Sequence, residues 1–119
     1  MPETVTPMIH VPDVRATVEW YAALGFDVEE THGDGGDALS FAILRFGAGQ
    51  VMLSSGGRPS DARRREVDLY VQTDRVEELF DRLKDRVEVV EPLHDTFYGM
   101  REFIIRDVNR FWITFGRDL

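Results

Sequence analysis

The chain has 119 residues, 43% of them hydrophobic, which is enough for one domain whose core needs no disulfide or metal. It has no cysteine, which excludes disulfides, thiolate metal sites and cysteine nucleophiles. A formal charge of −8 disfavours nucleic acid and anionic lipid as partners. No apolar run reaches the roughly 18 residues of a membrane helix, and no basic leader opens the chain. We therefore expect a cytoplasmic protein that does not bind membranes.

The first half of the chain predicts one strand, one helix and three further strands. Residues 6–11 alternate as in a half-buried strand. Asp13 is placed to cap a helix that ends at Gly25, and its apolar positions recur on one face. The three strand-like runs that follow are 26–30, 39–46 and 50–54.

The second half repeats this order. Residues 67–72 alternate as a strand, and Asp74 with Glu77 resembles a capping box that opens the second helix. Three strand-like runs follow at 87–91, 101–106 and 111–116. In the last turn, Asn109 is the residue expected to take a left-handed conformation.

The two halves match at an offset of 62 residues. The shift places Ile9 on Val71 and, without a gap, Phe41 on Phe103. An internal repeat of this length indicates two copies of one supersecondary unit. We predict an α+β fold of two βαβββ modules, 1–56 and 66–119, within a single domain. The linker 57–65 includes a run of three consecutive arginines, 63–65, and we interpret it as a solvated segment rather than an anion site.

Several short motifs carry a resemblance to a known superfamily. They are Ile9–Val14, Trp20–Tyr21, Leu24–Phe26 and Tyr98–Phe103. In order and spacing they resemble the glyoxalase/bleomycin resistance/dioxygenase (vicinal oxygen chelate) superfamily, and they are most similar to its bleomycin-resistance-like members. The resemblance implies a cupped mixed sheet and a homodimer. The last hairpin departs from the usual Asp-Pro-x-Gly, since the chain has Asp107-Val108-Asn109-Arg110 there.

The resemblance also locates the positions that hold a catalytic metal in other members. Here they are Thr6, Met52, Asp68 and Thr114. One carboxylate, two hydroxyls and a thioether are poor ligands for zinc, nickel or iron. We therefore expect no metal and no other cofactor. The alternative is a displaced metal site built from His10, Asp68, Glu102 and residues assigned to the surface.

Strand alternation predicts which side chains line the cup. Val67, Leu69 and Val71 are expected against the helices, and Phe41, Phe46 and Phe103 in the core. The predicted ligand-binding residues share an aromatic, thioether or polar character. They are Met8, His10, Met52, Asp68, Tyr70, Trp112 and Thr114, with Tyr98 and Glu102 at the rim.

A pocket of this composition suits a flat or amphipathic ligand. The leading hypothesis is a metal-independent protein that sequesters an aromatic or cationic small molecule, as the resemblance implies. The first alternative is a metal-dependent enzyme of the glyoxalase or dioxygenase type. The second is an interaction module whose cup is filled by its own side chains.

Overall fold

The computed structural model describes residues 3–33, 35–36 and 38–119. The chain divides into two compact units, residues 1–59 and 60–119. Each unit runs strand, helix, strand, strand, strand, so the α+β fold of two βαβββ modules is confirmed. Among the described residues, neither helix is long and apolar enough to cross a membrane.

The first unit is a four-stranded mixed sheet with one helix. Its elements are β1 (Met8–His10), α1 (Val14–Leu24), β2 (Asp27–Gly33), β3 (Leu39–Phe46) and β4 (Gly49–Ser54). The strand order is β1-β4-β3-β2. β1 pairs with β4 in parallel, and the other pairs are antiparallel. The crossover from β1 to its parallel partner contains α1, as a parallel pair requires a long connection.

The second unit repeats this topology. Its elements are β5 (Leu69–Gln72), α2 (Val76–Leu83), β6 (Glu88–Asp95), β7 (Met100–Arg106) and β8 (Trp112–Asp118). The order β5-β8-β7-β6 again places the first strand of the unit parallel to its last. β5 begins two residues later than expected, so Val67, predicted to pack against a helix, precedes the strand and is 51% exposed.

The two helices start differently. The Asp13 side chain accepts a hydrogen bond from the Ala16 amide at 3.0 Å, and Gly25 closes α1 with φ 122°, so both predicted ends are confirmed. The predicted capping box of α2 is wrong. Its N-cap is Arg75, which makes no side-chain cap hydrogen bond, and the Arg75 amide bonds the Thr73 hydroxyl instead.

Each sheet packs one face against its helix. In the first unit this face carries Ala42, Leu44, Val51 and Leu53, all nearly inaccessible to solvent. In the second, Phe103 stacks on Phe115 with ring centroids 4.9 Å apart, and Phe80 of α2 meets Phe103 edge-on at 5.2 Å. We call the opposite face of each sheet its helix-distal face.

The expected gap-free repeat is wrong over β3 and β7. Ile43 pairs with Met52 and Ile104 with Thr114, so the last strands are offset by 62 residues but β3 and β7 by 61. The cause is the β7–β8 hairpin. Five residues separate Arg106 from its partner Trp112, whereas four separate Arg45 from Gln50.

The register shift corrects the placement of Phe41. This residue is the counterpart of Glu102, because Phe41 pairs with Ser54 and Glu102 with Gly116 at the ends of matching strands. Phe41 therefore lies on the helix-distal face, 6.0 Å from the His32 ring, and not in the core. Phe103 is fully buried as expected, and Phe46 packs 5.1 Å from the buried Phe26.

The longer hairpin is stabilised by one buried carboxylate. Asp107 Oδ1 accepts the Asn109 amide at 2.7 Å and the Phe111 amide at 2.8 Å. The left-handed residue is Arg110, with φ 72°, and not Asn109 as predicted. The Arg110 guanidinium donates a hydrogen bond to the Ala62 carbonyl.

Candidate functional site

The helix-distal face of the second sheet brings several predicted residues together. Tyr70 pairs with Thr114, which on its other side pairs with Ile104. Two residues before Thr114 on β8, Trp112 pairs with Arg106. Alternation along β5, β7 and β8 therefore projects Tyr70, Thr114 and Trp112 to the same side as Glu102. The register thus places Tyr70, Thr114 and Trp112 on one face of the sheet, where alternation along the sequence also puts them.

Two tyrosines converge on one buried carboxylate. The Tyr70 hydroxyl donates to Glu102 Oε2 at 2.7 Å, and the Tyr98 hydroxyl donates to Oε1 at 2.8 Å. Glu102 is only 3% exposed, whereas Tyr70 and Tyr98 are 52% and 56% exposed. We call these three residues the phenol–carboxylate cluster. Glu102, expected at a rim, is in fact the buried centre of this cluster.

The cluster keeps both phenols protonated. Burial, together with the hydrogen bond to Glu102 and its charge, raises the pKa of Tyr70 far above its ordinary value. The same hydrogen bond is the main reason that the pKa of Tyr98 is raised, and a hydrogen bond with Thr96 partly opposes that shift. These tyrosines are therefore suited to binding and not to acting as bases at neutral pH.

Gly116 makes room for this arrangement. A Cβ atom at Gly116 would collide with the Tyr70 hydroxyl and lie 3.2 Å from Glu102 Cγ. The phenol of Tyr70 therefore crosses the β8 backbone at the one position where no side chain projects. Sequence reasoning missed this residue, although a glycine inside a strand often marks such a close approach.

Trp112 is covered by the segment that precedes β5. Its indole N–H donates to the Arg63 carbonyl at 3.0 Å, and the Arg64 guanidinium lies 4.1 Å above the ring. The same carbonyl accepts two bonds from Arg106, at 2.7 and 3.0 Å. Trp112 thus has both a hydrogen-bond partner and a cation over its face.

Asp68 was predicted to line the cup, but its carboxylate is engaged in an ion pair. It precedes β5 and forms an ion pair with Arg64, which raises the pKa of that guanidinium. Arg65 donates to the Asn109 carbonyl at 2.9 Å and lies over the Phe111 ring. Two of the three consecutive arginines, Arg64 and Arg65, are thus held by contacts with other residues of the second unit.

The first unit carries its own predicted residues on its helix-distal face. Met8 pairs with Met52 across the parallel β1–β4 ladder, so two thioethers lie side by side. Met8 is 50% exposed. His10, one row on, is exposed, and its Nδ1 lies 3.2 Å from the Ser55 carbonyl oxygen. Met8 and Met52 thus form an apolar patch on this face.

The positions that correspond to metal ligands in the superfamily do not fit a divalent metal. These positions offer two hydroxyls, one thioether and one carboxylate. The carboxylate, Asp68, is already paired with Arg64. Across the part of the chain that the structure describes, no three histidine, aspartate or glutamate side chains come together as a metal site. The displaced site from His10, Asp68 and Glu102 thus has no support in the described residues.

The comparisons with known proteins agree with the fold. The family model described as the Glyoxalase/Bleomycin resistance protein/Dioxygenase superfamily matches residues 4–115. The chain therefore belongs to this superfamily. A comparison with curated protein sequences finds no match.

Three solved structures illustrate the likeness. TioX from Micromonospora sp. ML1 is 23% identical, with a TM-score of 0.77 over 98% of this chain and 97% of that one. A bleomycin-binding protein complexed with bleomycin is 13% identical, with a TM-score of 0.74 over 99% and 100%. The fosfomycin resistance protein FosX from Listeria monocytogenes is 15% identical, with a TM-score of 0.77 over 100% and 95%. At these identities the likeness shows the fold alone.

Proposed function

We propose that this protein binds an aromatic or cationic small molecule without a metal ion, and that it acts by sequestering that molecule. The observation that carries the proposal is the phenol–carboxylate cluster. Two half-exposed aromatic rings are held over a buried carboxylate on the helix-distal face of the second sheet. Rings fixed in this way offer flat apolar area at low entropic cost.

The neighbouring residues support the same function. Thr114 is the register partner of Tyr70, and Trp112 lies two residues before Thr114 on the same face of β8. Met8, His10 and Met52 of the first unit are proposed as further ligand contacts on their own sheet, where thioethers adapt to apolar groups. A homodimer and a cytoplasmic location remain predictions from the resemblance and the composition.

The superfamily gives the proposal a biological setting. One of the similar structures is a bleomycin-binding protein with its ligand, and another is a fosfomycin resistance protein. We propose the binding mode for this chain rather than an enzymatic one, because the donor set at the metal positions does not suit catalysis.

The first experiment is elemental analysis of untagged protein, followed by melting curves with nickel, zinc, manganese or iron(II) added in turn. We expect no stoichiometric metal and no rise in Tm. Metal bound at one equivalent, or a clear stabilisation by one ion, would contradict the proposal, since a ligand at 100 times its Kd stabilises the native state by about 2.7 kcal/mol.

The antibiotic version of the proposal has its own test. Bleomycin is titrated into the protein by calorimetry, and sensitivity to bleomycin is measured in cells that overproduce it. Affinity together with a gain in resistance supports this version. If the protein shows no affinity for bleomycin and gives no gain in resistance, bleomycin-type glycopeptides are excluded as the ligand.

A further inference from the structure

The phenol–carboxylate cluster has a polarity that can be read from its hydrogen bonds. A phenol has one proton, and both Tyr70 and Tyr98 give theirs to Glu102. Glu102 is buried, so a group that approaches this face meets the two half-exposed tyrosines before it meets the carboxylate. The hydroxyls are therefore acceptors toward any group that approaches from outside.

The charged side chains that act most strongly on Tyr70 are carboxylates. The charged groups that raise the pKa of Tyr70 include Glu102 and Asp118, which are both anionic. The arginines of this face are engaged elsewhere: Arg64 pairs with Asp68, and Arg106 pairs with Glu88 at 2.7 Å. His94, opposite Glu102 on β6, makes its Nδ1 contact with the Pro92 carbonyl at 2.8 Å. A positive group is thus favoured beside Tyr70.

The ring faces add to this preference. A cation over a phenol is attracted by the ring quadrupole, and the attraction grows where water is excluded. Tyr70 and Tyr98 are both half-exposed, so their rings are accessible, and the hydrogen bonds to Glu102 fix their orientation.

We propose that the phenol–carboxylate cluster recognises a protonated amine on the ligand, which donates N–H to the phenol oxygens of Tyr70 and Tyr98. The inference rests on the proposed binding function and narrows its ligand to aromatic amines in their cationic form. Ligands that present a carboxylate or phosphate at this point are rejected, because they bring lone pairs and negative charge to groups of the same kind.

The test uses three probes of one shape: 1-naphthylmethylamine, 1-naphthylmethanol and 1-naphthoate, titrated by calorimetry at pH 7 and low salt. We expect the amine to bind about tenfold or more tightly than the alcohol, which corresponds to about 1.4 kcal/mol. The naphthoate is expected to bind more weakly than the alcohol.

Variants then test whether the two phenols cause the preference for the amine over the alcohol. Tyr70→Phe and Tyr98→Phe each remove one acceptor, so each is expected to lower the affinity for the amine about three- to tenfold while changing that for the alcohol less than about twofold. Tyr21→Phe is the matched control, because Tyr21 is buried in the core of the first unit. It is expected to leave the ratio of amine to alcohol affinity unchanged.

The outcomes separate this inference from the proposed function. Equal binding of amine and alcohol overturns the amine inference and leaves aromatic binding intact. Binding of none of the probes counts against both. If Tyr70→Phe and Tyr98→Phe keep the native far-UV circular dichroism and also the full preference for the amine, the cluster is not the recognition site.

Discussion

The two units of this protein share one backbone plan and differ in the chemistry of one face. Where the first unit has Met8 and Met52, the second has Tyr70 and Thr114 at matching places in the parallel ladder. Phe41 is replaced by Glu102. The helix-side faces stay apolar in both units, because the packing of each helix depends on them. The helix-distal faces differ, and that of the second unit carries the proposed site.

The largest loss of stability is expected from a variant that tests the register difference between the units. Phe103→Ala removes a fully buried ring stacked on Phe115, so we expect a loss of about 3–5 kcal/mol in the free energy of unfolding. Phe41→Ala removes a ring from a helix-distal face and is expected to cost less than about half of that. Urea unfolding measures both. Similar losses for the two variants would restore the gap-free alignment.

A smaller effect concerns Gly116, whose counterpart in the first unit is Ser54. Gly116→Ser places a side chain where the Tyr70 phenol lies, so it displaces Tyr70 and takes one donor from the buried Glu102. We expect a loss of about 1.5–3 kcal/mol. The reverse change, Ser54→Gly, is expected to cost about 1 kcal/mol or less. Equal costs in urea unfolding would show that the cluster contributes no stability.

The next smaller effect concerns the N-termini of the two helices. Asp13→Ala removes the hydrogen bond to the Ala16 amide and is expected to cost about 1 kcal/mol. Asp74→Ala is expected to change stability by less than about 0.5 kcal/mol, because Asp74 is not the N-cap of α2. Thermal and urea unfolding measure both variants. A larger loss for Asp74→Ala would revive the capping box.

The smallest effect is the pH dependence of an ion-pair network in the second unit. Glu77 accepts bonds from Arg117 at 2.6 Å and from Arg101 at 3.0 Å, and the bonds to Arg117 contribute most to lowering the pKa of Glu77 to about 2. Because the folded pKa is lowered, the stabilisation is complete above pH 4.5 and is lost as the pH falls toward 2.

The variant Glu77→Gln isolates this effect. The Tm difference between the wild type and Glu77→Gln is expected to shrink as the pH is lowered from 6 to 2.5. Glu78→Gln, an exposed neighbour on the same helix, serves as the control for loss of charge. A difference for Glu77→Gln that stays constant with pH would contradict the network.

Much of the fold could be predicted from the sequence because the apolar spacing of each helix and strand is regular. The register of β3 could not. Phe41 and Ile43 are apolar on one face, and Ala42 and Leu44 are apolar on the other, so the pattern fits either offset. The extra residue lies in a hairpin whose geometry depends on the Asp107 side chain, which periodicity does not report.

The site was predictable in part for a related reason. Alternation gave the face of Tyr70, Thr114 and Trp112, since it needs only local geometry. The burial of Glu102 and the pairing of Asp68 with Arg64 depend on contacts between distant or irregular segments. The long-range hydrogen bond from Tyr70 to Glu102 likewise has no local signature.

The helix-distal face of the second sheet is the proposed ligand-binding surface. The most direct test is a ¹H–¹⁵N NMR titration of the full chain with 1-naphthylmethylamine. We expect saturable shifts concentrated at Tyr70, Tyr98, Glu102 and Thr114, and smaller shifts at the buried helix-side residues. Shifts confined to α1 or α2, with β5, β7 and β8 unchanged, would contradict it.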